Sequence, residues 1–135
     1  MGIYNHQRVP SSYHDIFEEY KAVRENALLV DYSHMSITSV MGDDAWALVN
    51  YMVSADVSII RDEQGIYSLL LNADGDIRGD AYVLCSADGY YILSESLTSK
   101  EIIDVLNEAL TKAEELDIQE IPEIKAMEEN NWGAI

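Results

Sequence analysis

Two apolar runs joined by a short polar turn restrict this chain more than any other feature. Ile66-Tyr67-Ser68-Leu69-Leu70-Leu71 and Ala81-Tyr82-Val83-Leu84-Cys85 flank Asn72-Ala73-Asp74-Gly75-Asp76-Ile77-Arg78-Gly79-Asp80. β-rich runs meeting at an Asx-x-Asp-Gly turn specify an antiparallel hairpin. Alternation along the second arm places Ile77, Gly79, Ala81, Val83 and Cys85 on one face and Arg78, Asp80, Tyr82 and Leu84 on the other. Asp80 is then a carboxylate inside an apolar strand. A buried, unpaired carboxylate is costly or holds its proton, so Asp80 must meet solvent, Arg78, a backbone donor or a ligand. Residue types alone favour a surface pair with Arg78.

The remaining pattern supplies helices and further strands. After a leader, residues 1–11, without periodicity, Ser12 and Asp15 have capping-box spacing, and Ile16, Phe17, Tyr20 and Val23 share one helical face up to about Arg24 to Asn26. Ser36–Val40 alternates as an edge-compatible strand. Asp43 and Asp44 then open a helix whose buried side is Ala45, Trp46, Leu48, Val49 and Met52. A third strand, Tyr90–Ser94, follows the Asp88-Gly89 turn, and Thr98 with Glu101 caps a helix carrying Ile102, Val105, Leu106, Ala109 and Leu110 at spacings of three and four. A further strand is expected near Leu116 to Gln119. Helices segregated from consecutive strands predict an α+β fold, an antiparallel sheet with helices packed on one face.

Composition excludes several functions. At 135 residues and 48% hydrophobic content, the chain can build one domain with a core, or a domain plus part of another. Its formal charge of −17 repels phosphate backbones and anionic lipid, so neither nucleic acid nor a membrane is an expected partner. No apolar run approaches the ~20 residues of a membrane span, and the amino terminus lacks the basic start of a secretory signal, which makes the cytoplasm the expected compartment. Cys85 is the single cysteine, so an internal disulfide and a cysteine zinc cage are ruled out. Asn72, Asp74, Asp76 and Asp80 imitate the start of a calcium loop, but Ile77 replaces the turn glycine and the closing glutamate is missing, so no metal is expected. His34 reads as a hydrogen-bonded structural residue, and His6 and His14 as solvent-facing. The carboxyl end is acidic and Pro-interrupted before Trp132-Gly133-Ala134-Ile135, which has the look of an opening strand; a fragment or half of something larger is the expectation.

Ile16-Phe17-Glu18-Glu19-Tyr20-Lys21-Ala22-Val23-Arg24, Asp31-Tyr32-Ser33-His34-Met35, Gly42-Asp43-Asp44-Ala45, Gly65-Ile66-Tyr67-Ser68 and the Asn72–Asp80 hairpin occur in this order. In that order they resemble the T-protein of the glycine cleavage system, the tetrahydrofolate-binding aminomethyltransferase family, over residues 13 to 135. The resemblance implies the amino-terminal portion of a three-domain cloverleaf around a folate cavity. It also implies that Asp80 is the catalytic carboxylate beside the folate nitrogens, and that Tyr67 and Met35 help line the pterin pocket. Gly79 stands where the family usually has a second aspartate, Ala55 replaces an asparagine, and Ser94 replaces an asparagine that usually contacts folate.

On this resemblance, residues 1–32 are a leader and helix of the first T-protein-like domain, 33–118 a folate-binding-type α+β domain, and 119–135 an acidic linker with the start of a truncated strand. The implied function is that of a fragment or half of a tetrahydrofolate-dependent aminomethyl or methyl transferase, inactive alone. Its implied partners are folate, a small one-carbon donor, and a lipoyl carrier protein or complementing chain. The alternative is a non-catalytic folate-binding or interaction module that pairs with another chain.

Overall fold

The computed structural model describes residues 1–4 and 7–127, so the expectations for His6 and for a strand at Trp132–Ile135 lie outside the described residues. β1 (Gly2–Tyr4) and β2 (Gln7–Val9) pair antiparallel, which turns the expected loose leader into a hairpin. α1 spans Ile16–Glu25. Its N-cap is Asp15 rather than Ser12, because only Asp15 directly precedes the first helical residue; its Oδ1 accepts from the backbone N–H groups of Phe17 (2.9 Å) and Glu18 (3.2 Å).

The central sheet has strand order β4-β5-β6-β3-β7, all neighbours antiparallel: β3 is Ser36–Met41, β4 Gly65–Leu71, β5 Ile77–Ser86, β6 Gly89–Ser94 and β7 Glu123–Ala126. β3 is interior rather than an edge, since β7 pairs with its free side. The last strand forms at 123–126 and not near Leu116 to Gln119, where the chain turns: Asp117 takes a positive φ of 55°, and Asp44 Oδ2 accepts from the backbone N–H groups of Gln119 (2.7 Å) and Glu120 (2.8 Å). Asp44 thus ties down a distant turn and makes no side-chain cap on α2, Ala45–Met52.

α2 and α3 (Ser99–Leu110) pack on each other and on one sheet face. Leu48, Val49, Ile102 and Leu106 from the helices meet Val40, Leu70, Val83 and Ile92 from the sheet, all fully buried. Each such side chain contributes about 1.5–3 kcal/mol relative to exposure. The Thr98/Glu101 capping box at the start of α3 is complete in both directions. Trp46 is 46% exposed and not a core anchor, because α2 turns residues 45, 48, 49 and 52 inward and 46 lies off that stripe.

One irregularity alters the hairpin. Leu70 pairs with Gly79 but Leu71 with Ile77, so Arg78 is the extra residue of a β-bulge. The bulge takes Arg78 out of phase with Asp80 and brings its guanidinium to 3.5 Å from Glu108 on α3. The surface pair of Arg78 with Asp80 does not form, and Ile77, grouped by alternation with Ala81 and Val83, is exposed while those two are buried.

Candidate functional site: a carboxylate held in an aromatic pocket

The sheet face opposite the helices carries Tyr67 and Leu69 of β4, Asp80, Tyr82 and Leu84 of β5, and Leu93 of β6, by strand alternation and register. Part of it is a pocket of about 560 Å³ lined by Tyr32, Met35, Tyr67, Asp80, Tyr82 and Glu95, among others. The three residues singled out by sequence, Asp80, Tyr67 and Met35, therefore line one cavity.

Asp80 is held at every polar atom. Tyr67 Oη donates to its Oδ2 (2.8 Å), and Ser96 Oγ donates to its Oδ1 (2.5 Å). Its backbone N–H donates to Ser96 Oγ (2.9 Å), and its carbonyl accepts from Ser94 Oγ (2.7 Å). The cause lies in unequal strand lengths. β5 outruns β6, whose pairing begins only at Tyr82 opposite Leu93, so the ladder partners that Asp80 lacks on that side are replaced by two serine hydroxyls, Ser94 at the end of β6 and Ser96 just after it.

These donors also fix the charge. The Ser96 hydroxyl first, and the Tyr67 hydroxyl second, hold the Asp80 carboxyl below the usual carboxylate range, and the same contact pushes the Tyr67 phenol up. Asp80 is ionised at neutral pH. Beside it the Tyr67 and Tyr82 rings lie 5.2 Å apart at 60°, an edge-to-face corner suited to a flat or cationic ligand. Gly79 makes the approach possible: a Cβ there would stand 2.6 Å from Leu97 Cγ and 2.9 Å from Ser96 Oγ.

Sequence reasoning missed Ser96 and Glu95. A serine two residues past a strand end carries no periodic signal, and only the strand register reveals its partner. Ser94, which stands where the resemblance places an asparagine, is fully buried, and its hydroxyl braces the Asp80 backbone. His34 lies edge-on to Tyr4 (4.7 Å, 87°) with Nε2 3.6 Å from Glu95 Oε1, a structural setting. Asn72 Oδ1 accepts from the N–H groups of Asp74 (3.0 Å) and Asp76 (2.8 Å), closing the turn that imitated a calcium loop. Among the described residues no helix is long and apolar enough to cross a membrane.

Comparison with known proteins agrees with this architecture. The chain is 40% identical to an aminomethyltransferase of Geobacillus sp. strain WCH70 over 85 residues, 63% of this chain and 23% of that protein. It is 30% identical to an aminomethyltransferase of Clostridium botulinum strain 657 over 93 residues, 69% of this chain and 25% of that protein. Among solved structures, the glycine cleavage system aminomethyltransferase T from Bartonella henselae superposes with a TM-score of 0.57 at 21% identity, covering 72% of this chain and 25% of that one, a likeness of fold. The chain thus spans about a quarter of the length of these relatives. The family model described as the GCVT N-terminal domain matches residues 1–127, and the chain belongs to that family, as an aminomethyltransferase-type N-terminal domain.

Proposed function

We propose that this domain is the folate-binding part of a tetrahydrofolate-dependent aminomethyl or methyl transferase, with Asp80 as its chief functional residue. One observation carries the reading: an ionised carboxylate, fixed by Tyr67 and Ser96, faces a cavity walled by tyrosines and Met35. A reduced pteridine has a flat pyrimidine ring and presents ring N–H donors, which suit an oriented carboxylate acceptor, while aromatic and thioether side chains suit that ring's faces. In one-carbon transfer an amine leaves while a ring nitrogen attacks. A fixed negative charge at that position orients the ring and steadies the positive charge that develops. The aminomethyltransferases to which the chain is similar support the same chemistry. Under this reading the matched quarter supplies ligand contacts, and the rest of the machinery, including any docking of a lipoyl carrier, belongs to further domains or a complementing chain. The cytoplasm is the proposed compartment.

The test is calorimetry of the full chain with tetrahydrofolate under reducing conditions. Binding that Asp80→Asn weakens by about ten-fold or more, roughly 1.4 kcal/mol, with an unchanged circular dichroism spectrum, supports the reading. Unaltered binding by the variant removes Asp80 from the site.

A second reading has its own observation. No residue of α1 is buried, and Ile16, Phe17, Tyr20 and Val23 are all exposed, Phe17 by 82%. An apolar helical stripe left open is a partner-binding feature, which favours a module that pairs with another body. Turnover upon addition of a complementing domain separates this from a silent binding module.

A further inference from the structure

The open stripe of α1 has a geometry and a charge pattern that specify its occupant. Among the described residues none before Thr38 is buried, so α1 gains nothing from the core. It has ten residues, fewer than the ~12–15 at which an isolated helix holds in water. Its described side-chain contacts stay within residues 13–25: Glu19 accepts from the N–H groups of Tyr13 (2.7 Å) and His14 (2.6 Å), Arg24 donates to Tyr20 Oη (3.2 Å), and Lys21 stands 3.7 Å from Glu25. Charge sets the same segment apart. Residues 1–34 hold five acidic and three basic side chains, and residues 35–135 twenty and five. A contact through α1 joins the least charged parts of two chains and leaves the acidic bodies apart, where salt screens them beyond about 8 Å; a contact between bodies sets like charges together.

We infer that two copies of this chain pair through α1, antiparallel and centred on Tyr20. At 3.6 residues per turn, Ile16, Tyr20 and Val23 form one line along the helix, and Phe17 with Arg24 forms a second beside it. In the antiparallel pair Tyr20 meets its own copy, Ile16 of one copy meets Val23 of the other, and Phe17 lies against the Arg24 guanidinium, a cation–π contact. The same arrangement opposes the two macrodipoles and sets the acidic first turn, Glu18 and Glu19, toward the end of the other helix that carries Arg24. With Phe17 and Tyr20 82% and 59% exposed, the two rings offer about 200–350 Å² per copy. Two ten-residue helices stay below the ~1,200 Å² of a standard interface, so the dimer is weak and concentration-dependent. The inference rests on the reading of the stripe as a pairing surface and not on the folate reading.

Sedimentation equilibrium of the full chain from about 5 to 500 μM in physiological salt spans the affinities of small interfaces. A monomer–dimer equilibrium should appear. Phe17→Glu should weaken it about ten-fold or more, while Ile121→Glu, at a position 75% exposed outside α1, should leave it unchanged. Both side chains are exposed, so unchanged circular dichroism should accompany both variants. Direction is read by oxidising Tyr20→Cys and Ile16→Cys in a Cys85→Ala background at the highest concentration. The antiparallel pair should crosslink the first and spare the second, whose two copies stand about 12 Å apart along the axis, beyond disulfide reach. A monomer throughout the range, a dimer indifferent to Phe17→Glu, no crosslink through Tyr20→Cys, or a crosslink through Ile16→Cys overturns the inference. A chain that stays monomeric yet gains turnover when a complementing domain is added keeps the pairing reading and loses only the second copy as its occupant.

Discussion

Ser94→Ala should destabilise the domain well beyond what removal of one serine hydroxyl suggests. Ser94 is fully buried, and its Oγ donates to the Asp80 carbonyl (2.7 Å) while accepting from the N–H groups of Leu97 (3.0 Å) and Ser96 (3.2 Å). Alanine leaves the buried Leu97 N–H without its acceptor, at about 1–3 kcal/mol, and weakens two part-buried contacts that water can partly replace. The sum is about 2–3 kcal/mol, or a fall in Tm of roughly 6–15 °C for a domain of this size. Urea unfolding followed by circular dichroism measures it. Ser39→Ala is the internal comparison: Ser39 is equally buried but donates one long contact, 3.4 Å to the Lys125 carbonyl, so its loss should stay below about 1 kcal/mol. A Ser94→Ala effect no larger than that of Ser39→Ala would refute the claim that serine hydroxyls replace the missing strand beside Asp80.

Gly79→Ala should cost about 1–3 kcal/mol by overpacking against Leu97 and Ser96, and should weaken any ligand held by Asp80, as thermal melts and titrations of one sample would record. Leu106→Ala, at a fully buried position of α3, should lose about 2–5 kcal/mol in urea unfolding, whereas Trp46→Ala should lose far less because its ring is half exposed. The lowered Asp80 pKa sets the sign of a pH effect: its contribution is present above the unfolded carboxylate range near pH 4 and is lost as pH falls below that range through the folded pKa, so Asp80→Asn should flatten the acid limb of stability. An identical acid limb in wild type and variant would contradict that assignment.

Local rules carried much of the fold into the sequence. The Asn72–Asp80 turn, the reciprocal Thr98/Glu101 cap and the inward face of α3 are legible because turn chemistry and helical spacing act over a few residues. The side of the sheet on which Asp80 emerges follows from simple alternation. The position of Arg78 does not, since a period of two has no means of registering an inserted residue. Trp46 is hydrophobic but lies off the 45, 48, 49 and 52 stripe of α2, so its residue type alone does not fix its burial. Ser96 and Glu95 depend on where β6 stops relative to β5, a property of pairing across the sheet rather than of any window of sequence. β7 was displaced in expectation because its partner, β3, lies some eighty residues away.

The bulge at Arg78 separates the tip of the hairpin from its stem. On the stem side, β5 is locked against β4 from Gly79 and against β6 from Tyr82, and Asp80 keeps its aim through Tyr67 and Ser96. On the tip side, the extra residue absorbs the phase of the strand, so a residue gained or lost between Leu71 and Gly79 is expressed as a change of turn and not as a rotation of the carboxylate. The tip is therefore free to vary in length, and a lineage could remodel that loop to meet different neighbours while the acid below stays pointed the same way.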